Sequence, residues 1–248
     1  MKLTKHLTEE IIETYRQLRG FIYAKIYSGK ERYCPICNTS FRKFEKFGVV
    51  PRQDARCVRC GALERHRLVW LYFKKMTDLF DGRPKKMLHV APEKAFTNRL
   101  KKMLGEGYLT SDLFDPHAMV KMDITYIEYP DQYFDVIYCS HVLEHVQDDK
   151  KAMREFYRTL KSSGWAILIV PITTSVTFED PTIVDPSERL RVFGQKDHVR
   201  KYGQDFVDRL REAGFKVEIT NYDELVPSNE MIRMGLTPIS GDIYYCTK

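Results

Sequence analysis

The spacing of apolar residues divides the chain into two regions with different patterns. From residue 85 onward, short apolar runs that suit buried strands alternate with segments of helical periodicity. Such alternation predicts an α/β fold, in which helices cover both faces of a parallel sheet and ligands bind at the carboxyl ends of the strands. The predicted strands lie at 86–91, 107–111, 119–123, 133–139, 164–170, 215–220 and 242–247, and the predicted helices at 93–104, 148–160 and 204–213.

The first region has helical periodicity at residues 8–27 and 61–80. Thr8 suits the N-cap position of the first helix, whose apolar face can pack within the chain or form a homodimer contact. We therefore expect two domains. Residues 1–84 form an N-terminal attachment, and residues 85–248 form a larger α/β domain with an irregular insertion at about 171–203.

Composition indicates a globular chain, with 43% hydrophobic and 30% charged residues. No apolar run approaches the ~20 residues of a membrane span, and residues 1–20 are too charged for a secretory signal peptide. We therefore expect a cytoplasmic protein without a membrane span. The formal net charge of +6 is uneven: residues 1–86 hold 20 Lys and Arg against 9 Asp and Glu, and residues 87–248 hold 20 against 25.

Four cysteines in the basic region have the spacing of a metal site. Two Cys-x-x-Cys pairs, separated by 19 residues, can supply four thiolates to one structural zinc ion through Cys34, Cys37, Cys57 and Cys60. Disulfides are disfavoured without an export signal, and no βαβ pattern precedes the pairs to suggest a redox motif. Four thiolates close the coordination sphere, so the expected role is structural. Basic and aromatic residues between the pairs can bind a polyanion or pack around the metal.

Two longer segments resemble class I S-adenosylmethionine-dependent methyltransferases. They are FDVIYCSHVLEH at 134–145 and LKSSGWAILIVP at 160–171, in the order and spacing that the family shows. LERHRL at 63–68, LHVAPE at 88–93 and FGQKDHVRKYG at 193–203 resemble a subgroup with an appended cysteine-rich region. The resemblance implies a Rossmann-like, mostly parallel sheet of seven strands whose last strand is antiparallel, with S-adenosylmethionine as cofactor.

The same resemblance implies where the cofactor lies. The acidic residue that ends the second strand, Asp112, corresponds to the residue that holds the ribose hydroxyls. Asp123 would lie near the adenine amino group, and residues after the fourth strand would lie near the transferring methyl. The implied contacts are His89, Ala91, Glu93, Asp112, Leu113, Asp123, Ile124, Ser140 and His141.

The turn after the first strand departs from the family pattern. The usual glycines are replaced by His89-Val90-Ala91-Pro92-Glu93, although alanine and proline restrict the approach of a backbone to a ligand. Either the turn accepts small residues because this cofactor has no phosphates, or the cofactor lies differently.

Residues 141–145 also satisfy H-x-x-E-H, the zinc signature of inverzincin proteases. That motif needs both histidines on one helix and a further, distant ligand. Here the motif begins directly after a buried strand, which favours the methyltransferase interpretation.

The insertion at 171–203 would lie beside the reactive end of the cofactor. Removing a proton from a hydroxyl acceptor needs a base, for which the candidates are His198, His141, Glu179 and Asp180. Candidate substrate contacts are Arg65, His66, Arg189, Arg191, Arg200 and Tyr202.

The predicted function is methyl transfer to a hydroxyl or acid oxygen of a small molecule or glycan. The signature associated with methylation of exocyclic amino groups on bases is absent after the fourth strand, which disfavours nucleic acid as the substrate. Two alternatives remain open. The chain could methylate RNA gripped by the basic zinc region, or it could be a scaffold that has lost cofactor binding.

Overall fold

The computed structural model describes residues 14–15, 18–48 and 50–248. The chain forms two compact units, each of which is discontinuous in sequence. The first comprises Met1–Thr77, Lys94–Phe96 and Tyr222–Ser240, and the second comprises Asp78–Glu93, Thr97–Asn221 and Gly241–Lys248. Residues 18–26 are helical, as predicted, whereas Thr8 lies outside the described residues.

The first unit is built from two antiparallel hairpins and a helix. Strands β1 (Ser28–Cys34) and β2 (Thr39–Phe41) form one hairpin, and β3 (Glu45–Phe47) and β4 (Arg52–Arg56) form the other. Helix α1 (Glu64–Met76) follows, shorter than the predicted 61–80. A helix near the end of the chain, α6 (Ser228–Met234), also belongs to this unit and packs against β1. Helix α6 is absent from the elements that the sequence pattern predicts.

The buried guanidinium of Arg67, on α1, connects the parts of the first unit. The side chain is fully buried, and its carbon Cζ lies 4.3 Å from the ring centroid of Phe44. Its nitrogens donate to four backbone carbonyls, those of Ala55, Ala62, Met234 and Gly235. Arg67 thereby supplies hydrogen-bond donors to backbone carbonyls in three places: in β4, in the turn after β4, and at the end of α6.

The second unit contains the predicted sheet. Across the sheet the strand order is β7 (Val120–Lys121), β6 (Tyr108–Asp112), β5 (Met87–Val90), β8 (Phe134–Ser140), β9 (Leu160–Ile169), β14 (Ile243–Thr247) and β13 (Lys216–Thr220). The first five are mutually parallel, and β14 is antiparallel to both of its neighbours. The predicted fold class is confirmed: a mostly parallel, seven-stranded sheet whose last strand is antiparallel.

The helices of this α/β arrangement are α2 (Lys94–Leu104), α3 (Asp149–Thr159) and α5 (Phe206–Glu212). The core packs β8 and β9 against buried apolar residues of α3 and α5, including Phe156 and Phe206. Both central strands are buried along most of their length, which explains why they read as continuous apolar runs. Within the described part of the chain, no helix is both long and apolar enough to cross a membrane.

The predicted irregularity of residues 171–203 is wrong. This segment contains a three-stranded sheet in the order β10 (Ile172–Thr174), β12 (Arg200–Gly203), β11 (Phe178–Glu179), and a helix, α4 (Pro186–Phe193). The Asp185 side chain caps α4 by accepting from the backbone nitrogens of Ser187 and Glu188, both at 2.9 Å. Gly194 ends the helix in the left-handed conformation, with a φ of 89°.

We predict that Arg67→Met lowers the free energy of unfolding by about 3 kcal/mol, because a buried carbonyl left without its donor costs about 1–3 kcal/mol. Urea unfolding followed by circular dichroism measures the change. The matched control is Arg59→Met, since Arg59 is exposed and its side chain donates to the Thr39 hydroxyl. The control should cost under about 1 kcal/mol. Equal losses in the two variants would contradict the role given to Arg67.

Candidate functional site

The carboxyl ends of β5 and β8 are each followed by a non-glycine residue in the left-handed region. Ala91 has a φ of 47° and His141 has a φ of 56°. Each is held by the neighbouring strand, since the Ala91 amide donates to Ser111 O and the His141 amide donates to Ile169 O, both at 2.8 Å. Non-glycine residues in this conformation are strained and concentrate at functional sites. The two turns therefore mark this edge of the sheet as a candidate ligand site.

A buried polar network supports the turn after β5. His89 is fully buried, with Nδ1 2.7 Å from the Tyr108 hydroxyl and Nε2 2.5 Å from Glu93 Oε2. The Tyr138 hydroxyl donates to the other carboxylate oxygen of Glu93 at 3.0 Å. His89 and Glu93, both predicted as cofactor contacts, thus have their side chains in the network that supports the turn. Sequence reasoning missed Tyr108 and Tyr138.

The turns after β6 and β7 each use a predicted aspartate. Asp112 Oδ1 accepts from the backbone nitrogens of Phe114 and Asp115, both at 2.7 Å. Asp123 Oδ1 accepts from both the backbone nitrogen and the hydroxyl of Thr125 at 2.8 Å. The Met122 amide donates to Asp112 O at 3.1 Å and holds the turns together. Leu113 is exposed beside Asp112, and Ile124 is buried beside Asp123.

The chain after β8 carries the predicted Ser140 and His141. Ser140 is buried, and its hydroxyl has no hydrogen-bond partner among the described residues. The hydroxyl of Ser111, the penultimate residue of β6, is also buried and has no hydrogen-bond partner in the part of the chain that the structure describes. The side chain of His141 is one-third exposed, and its Nδ1 lies 3.4 Å from Oε1 of the buried Glu144. The residue with the strained backbone, His141, therefore has a partly exposed imidazole that lies next to the buried carboxylate of Glu144.

Of the remaining base candidates, His198 is buried, and the carboxylates of Glu179 and Asp180 are engaged in hydrogen bonds with other side chains. Burial lowers the pKa of His198, and the nearby His145 lowers it further. Burial opposes ionisation of Glu179, but hydrogen bonds from Arg209 and Arg200 outweigh this effect and lower its pKa. Asp180 accepts from the backbone and hydroxyl of Thr182, which lowers the pKa of its carboxyl.

Two predicted substrate contacts of the insertion are buried structural residues. The Arg200 guanidinium donates to Glu179 and to three backbone carbonyls, those of Leu143, Val146 and Gln147. The Tyr202 hydroxyl donates to Asp149 Oδ2 at 2.6 Å, and burial raises the pKa of this phenol. The polar groups of both side chains are thus taken up by contacts within the protein, which argues against a role in binding substrate.

The other predicted substrate contacts are distributed over both units. Arg189 is half-buried, with Nε donating to Ile183 O at 3.0 Å, and Arg191 is exposed beside Glu188. Arg65 and His66 lie on α1 in the first unit. His66 Nδ1 accepts from the backbone nitrogen of Leu63 at 3.2 Å, which anchors the start of that helix.

The four predicted cysteine ligands come together in the first unit. Sγ of Cys34 lies 3.6 Å from that of Cys60, and Sγ of Cys37 lies 3.7 Å from that of Cys57. Tetrahedral thiolates with metal–sulfur bonds of about 2.3 Å would be separated by about 3.8 Å, so the arrangement fits one zinc ion. Hydrogen bonds with the other three cysteines, together with burial, raise the pKa of the Cys60 thiol well above its usual range. A bound divalent cation would favour the thiolate form of all four side chains.

Part of the chain is similar in sequence to known methyltransferases. Residues 77–168 match the family described as a methyltransferase domain. A 95-residue segment, 38% of the chain, is 38% identical to phosphoethanolamine N-methyltransferase 3 of Arabidopsis thaliana and covers 18% of that protein's length. These matches confirm the predicted resemblance to methyltransferases.

Solved structures with a similar fold include two described as S-adenosylmethionine-dependent methyltransferases. The one from Mesorhizobium loti is 14% identical, with a TM-score of 0.49 over 73% of this chain and 98% of that one. The one from Archaeoglobus fulgidus is 18% identical, with a TM-score of 0.46 over 73% of this chain and 93% of that one.

Proposed function

We propose that the chain is an S-adenosylmethionine-dependent methyltransferase whose cofactor binds at the carboxyl edge of β5, β6, β7 and β8. The observation that carries the proposal is the pair of strained turns at Ala91 and His141, which lie at the same edge as Asp112 in a methyltransferase domain. Open α/β sheets bind ligands at this edge.

The side chains at this edge suit the parts of the cofactor. Asp112 would accept hydrogen bonds from the ribose diol while its Oδ1 also caps the turn. Asp123 would lie toward the adenine amino group, with the backbone around Ala91 and the Ser140 hydroxyl toward the methionine end. The bound cofactor supplies a methyl group on a sulfonium, which leaves by in-line displacement. The protein's contribution is to align the acceptor and exclude water.

The proposed acceptor is a hydroxyl or carboxyl oxygen of a small molecule or glycan. His141 is the best-placed base because it is partly exposed at the edge and lies beside the carboxylate of Glu144. In this arrangement Glu144 orients the imidazole and stabilises its protonated form. A second candidate acceptor is an amine nitrogen, since the plant relative is named as an N-methyltransferase.

We also propose that the four cysteines hold one structural zinc ion. Its binding would stabilise two hairpins too small to form an apolar core of their own. Four thiolates leave no open position on the metal, so the site would take no part in methyl transfer.

The cofactor proposal predicts that the zinc-loaded protein binds S-adenosylhomocysteine in isothermal calorimetry and that Asp112→Asn weakens binding about 10- to 100-fold. Asparagine keeps an oxygen for the turn but loses the charge, and hydrogen bonds to charged groups contribute about 1.5–3 kcal/mol. The control is Asp115→Asn, because Asp115 caps the adjacent turn by accepting from the His117 amide. Absence of binding to the wild-type protein would overturn the proposal.

The acceptor proposal predicts that label from methyl-labelled S-adenosylmethionine enters hydroxyl or carboxyl compounds of a mixed panel. If label enters only the amines of the panel, the acceptor is an amine nitrogen and the proposal of an oxygen acceptor is wrong.

For the acceptor found, His141→Asn should lower kcat about 100-fold or more while S-adenosylhomocysteine binding stays unchanged. The loss should shrink as pH rises, because hydroxide then replaces the base. An unchanged pH profile and kcat would remove His141 from the mechanism.

The zinc proposal predicts by metal analysis that Cys37→Ser lowers the zinc content of the purified protein by about one ion per chain. Cys246→Ala is the matched control, since Cys246 is a buried thiol of β14 outside the cluster. A strong chelator should lower the unfolding midpoint of the wild-type protein. A zinc content in the Cys37→Ser variant equal to that of the wild-type protein would show that the metal lies elsewhere.

A further inference from the structure

A second group of metal-ligating side chains lies in the α/β unit, just beyond the end of β8. One ligating atom from each of Glu144, His145 and His198 lies within 4.8 Å of the other two. Glu144 and His145 belong to the short 3-10 helix Leu143–His145, and His198 comes from the insertion, directly before β12. Two imidazoles and a carboxylate thus converge from segments more than fifty residues apart.

Two of these three side chains have a buried polar atom without a partner. Glu144 is 2% exposed, and its Oε2 has no hydrogen-bond partner among the described residues. His198 is 7% exposed, and its Nε2 likewise has none within the part of the chain that the structure describes. An unsatisfied buried carboxylate oxygen is costly, and so is an unsatisfied imidazole nitrogen. A cation bound between them would satisfy both.

The contacts of the two histidines leave a ring nitrogen of each available to a metal ion. Nε2 of His198 has no hydrogen-bond partner among the described residues, which leaves this nitrogen available to a metal ion. Nδ1 of His145 lies 3.1 Å from Asp197 Oδ2, which leaves the lone pair of a neutral ring on Nε2. A carboxylate or carbonyl on the far nitrogen is the usual support for a metal-ligating histidine.

The backbone also fixes the two segments to each other. The Val199 amide donates to Glu144 O at 2.9 Å, and the buried Arg200 guanidinium donates to the carbonyls of Leu143, Val146 and Gln147. These bonds join the segment that carries His198 to the turn that carries Glu144 and His145. The ligand positions are therefore determined by backbone contacts in the protein itself.

We propose that Glu144, His145 and His198 bind one divalent first-row transition-metal ion. Imidazole nitrogen with one carboxylate suits zinc, iron, cobalt, nickel or manganese, whereas magnesium and calcium prefer all-oxygen sites. Bonds of about 2.0–2.2 Å bring ligating atoms to within about 4 Å of each other, so a small movement of the side chains closes the cluster. Three protein ligands leave coordination positions open. The site is separate from the cysteine cluster and does not depend on the proposed methyl transfer.

The test is a titration with Co²⁺ of the full chain that carries one equivalent of zinc, enough to fill the cysteine cluster, followed by visible absorption and by calorimetry. We expect one equivalent to bind with d–d bands and without a thiolate-to-cobalt charge-transfer band. Glu144→Gln and His198→Gln should each weaken Co²⁺ binding more than about 100-fold, since loss of a residue that only orients a ligand already costs about 10–100-fold. Asp197→Asn should weaken binding about tenfold.

The matched control is His117→Gln, a histidine outside the cluster on an exposed turn, which should leave Co²⁺ binding unchanged. Circular dichroism of each variant establishes that it folds. Asp197 is exposed, so its variant keeps the test valid where a buried substitution unfolds the chain. A charge-transfer band in the wild-type protein, no binding at millimolar Co²⁺, or equal binding by folded Glu144→Gln would overturn the proposal.

Discussion

The carboxylate of Glu93 supports the edge of the sheet on which the proposed cofactor site depends. One oxygen is bonded to His89 on β5 and the other to Tyr138 on β8, so a single partly buried carboxyl group connects the turn after β5 to two central strands. Because the turn contains no glycine, its left-handed residue, Ala91, has a conformation that costs about 1–2 kcal/mol for an L-residue. The network offsets this cost, since releasing the turn would leave buried polar groups without partners.

Arg200 supports the chain that follows β8, as Glu93 supports the turn that follows β5. It donates to three carbonyls of the chain after β8 and to Glu179, which is also bonded to Arg209. The positions of His141, Glu144 and His145 therefore depend on a residue of the insertion. The small sheet of this segment contains Arg200 in β12 and Glu179 in β11, and it therefore holds both partners of that ion pair in fixed positions.

Sequence patterns were sufficient for elements whose signals are local. Apolar runs located β8 and β9 because both faces of a parallel sheet are buried, and the spacing of Cys34, Cys37, Cys57 and Cys60 predicted their convergence. Helix α4 was missed although Asp185, Pro186 and Gly194 are ordinary start and stop signals, because charges and aromatics dominate that segment. Arg200 was predicted to contact substrate, since a sequence does not show that a guanidinium is buried among carbonyls.

The H-x-x-E-H pattern at 141–145 shows that residue spacing alone does not determine which side chains come together. Spacing alone would pair His141 with His145 across one helical turn, but the chain at 141–142 is not helical and only Leu143–His145 forms a 3-10 turn. In this geometry the imidazole of His141 lies next to one oxygen of Glu144. The imidazoles of His145 and His198 each have a ring nitrogen within 4.8 Å of a carboxylate oxygen of Glu144. A carboxylate has two oxygens, so Glu144 can orient the candidate base with Oε1 and ligate an ion with Oε2. The donor sets also differ in kind: four thiolates enclose a metal completely, whereas two imidazoles and one carboxylate leave positions open to solvent or to a ligand.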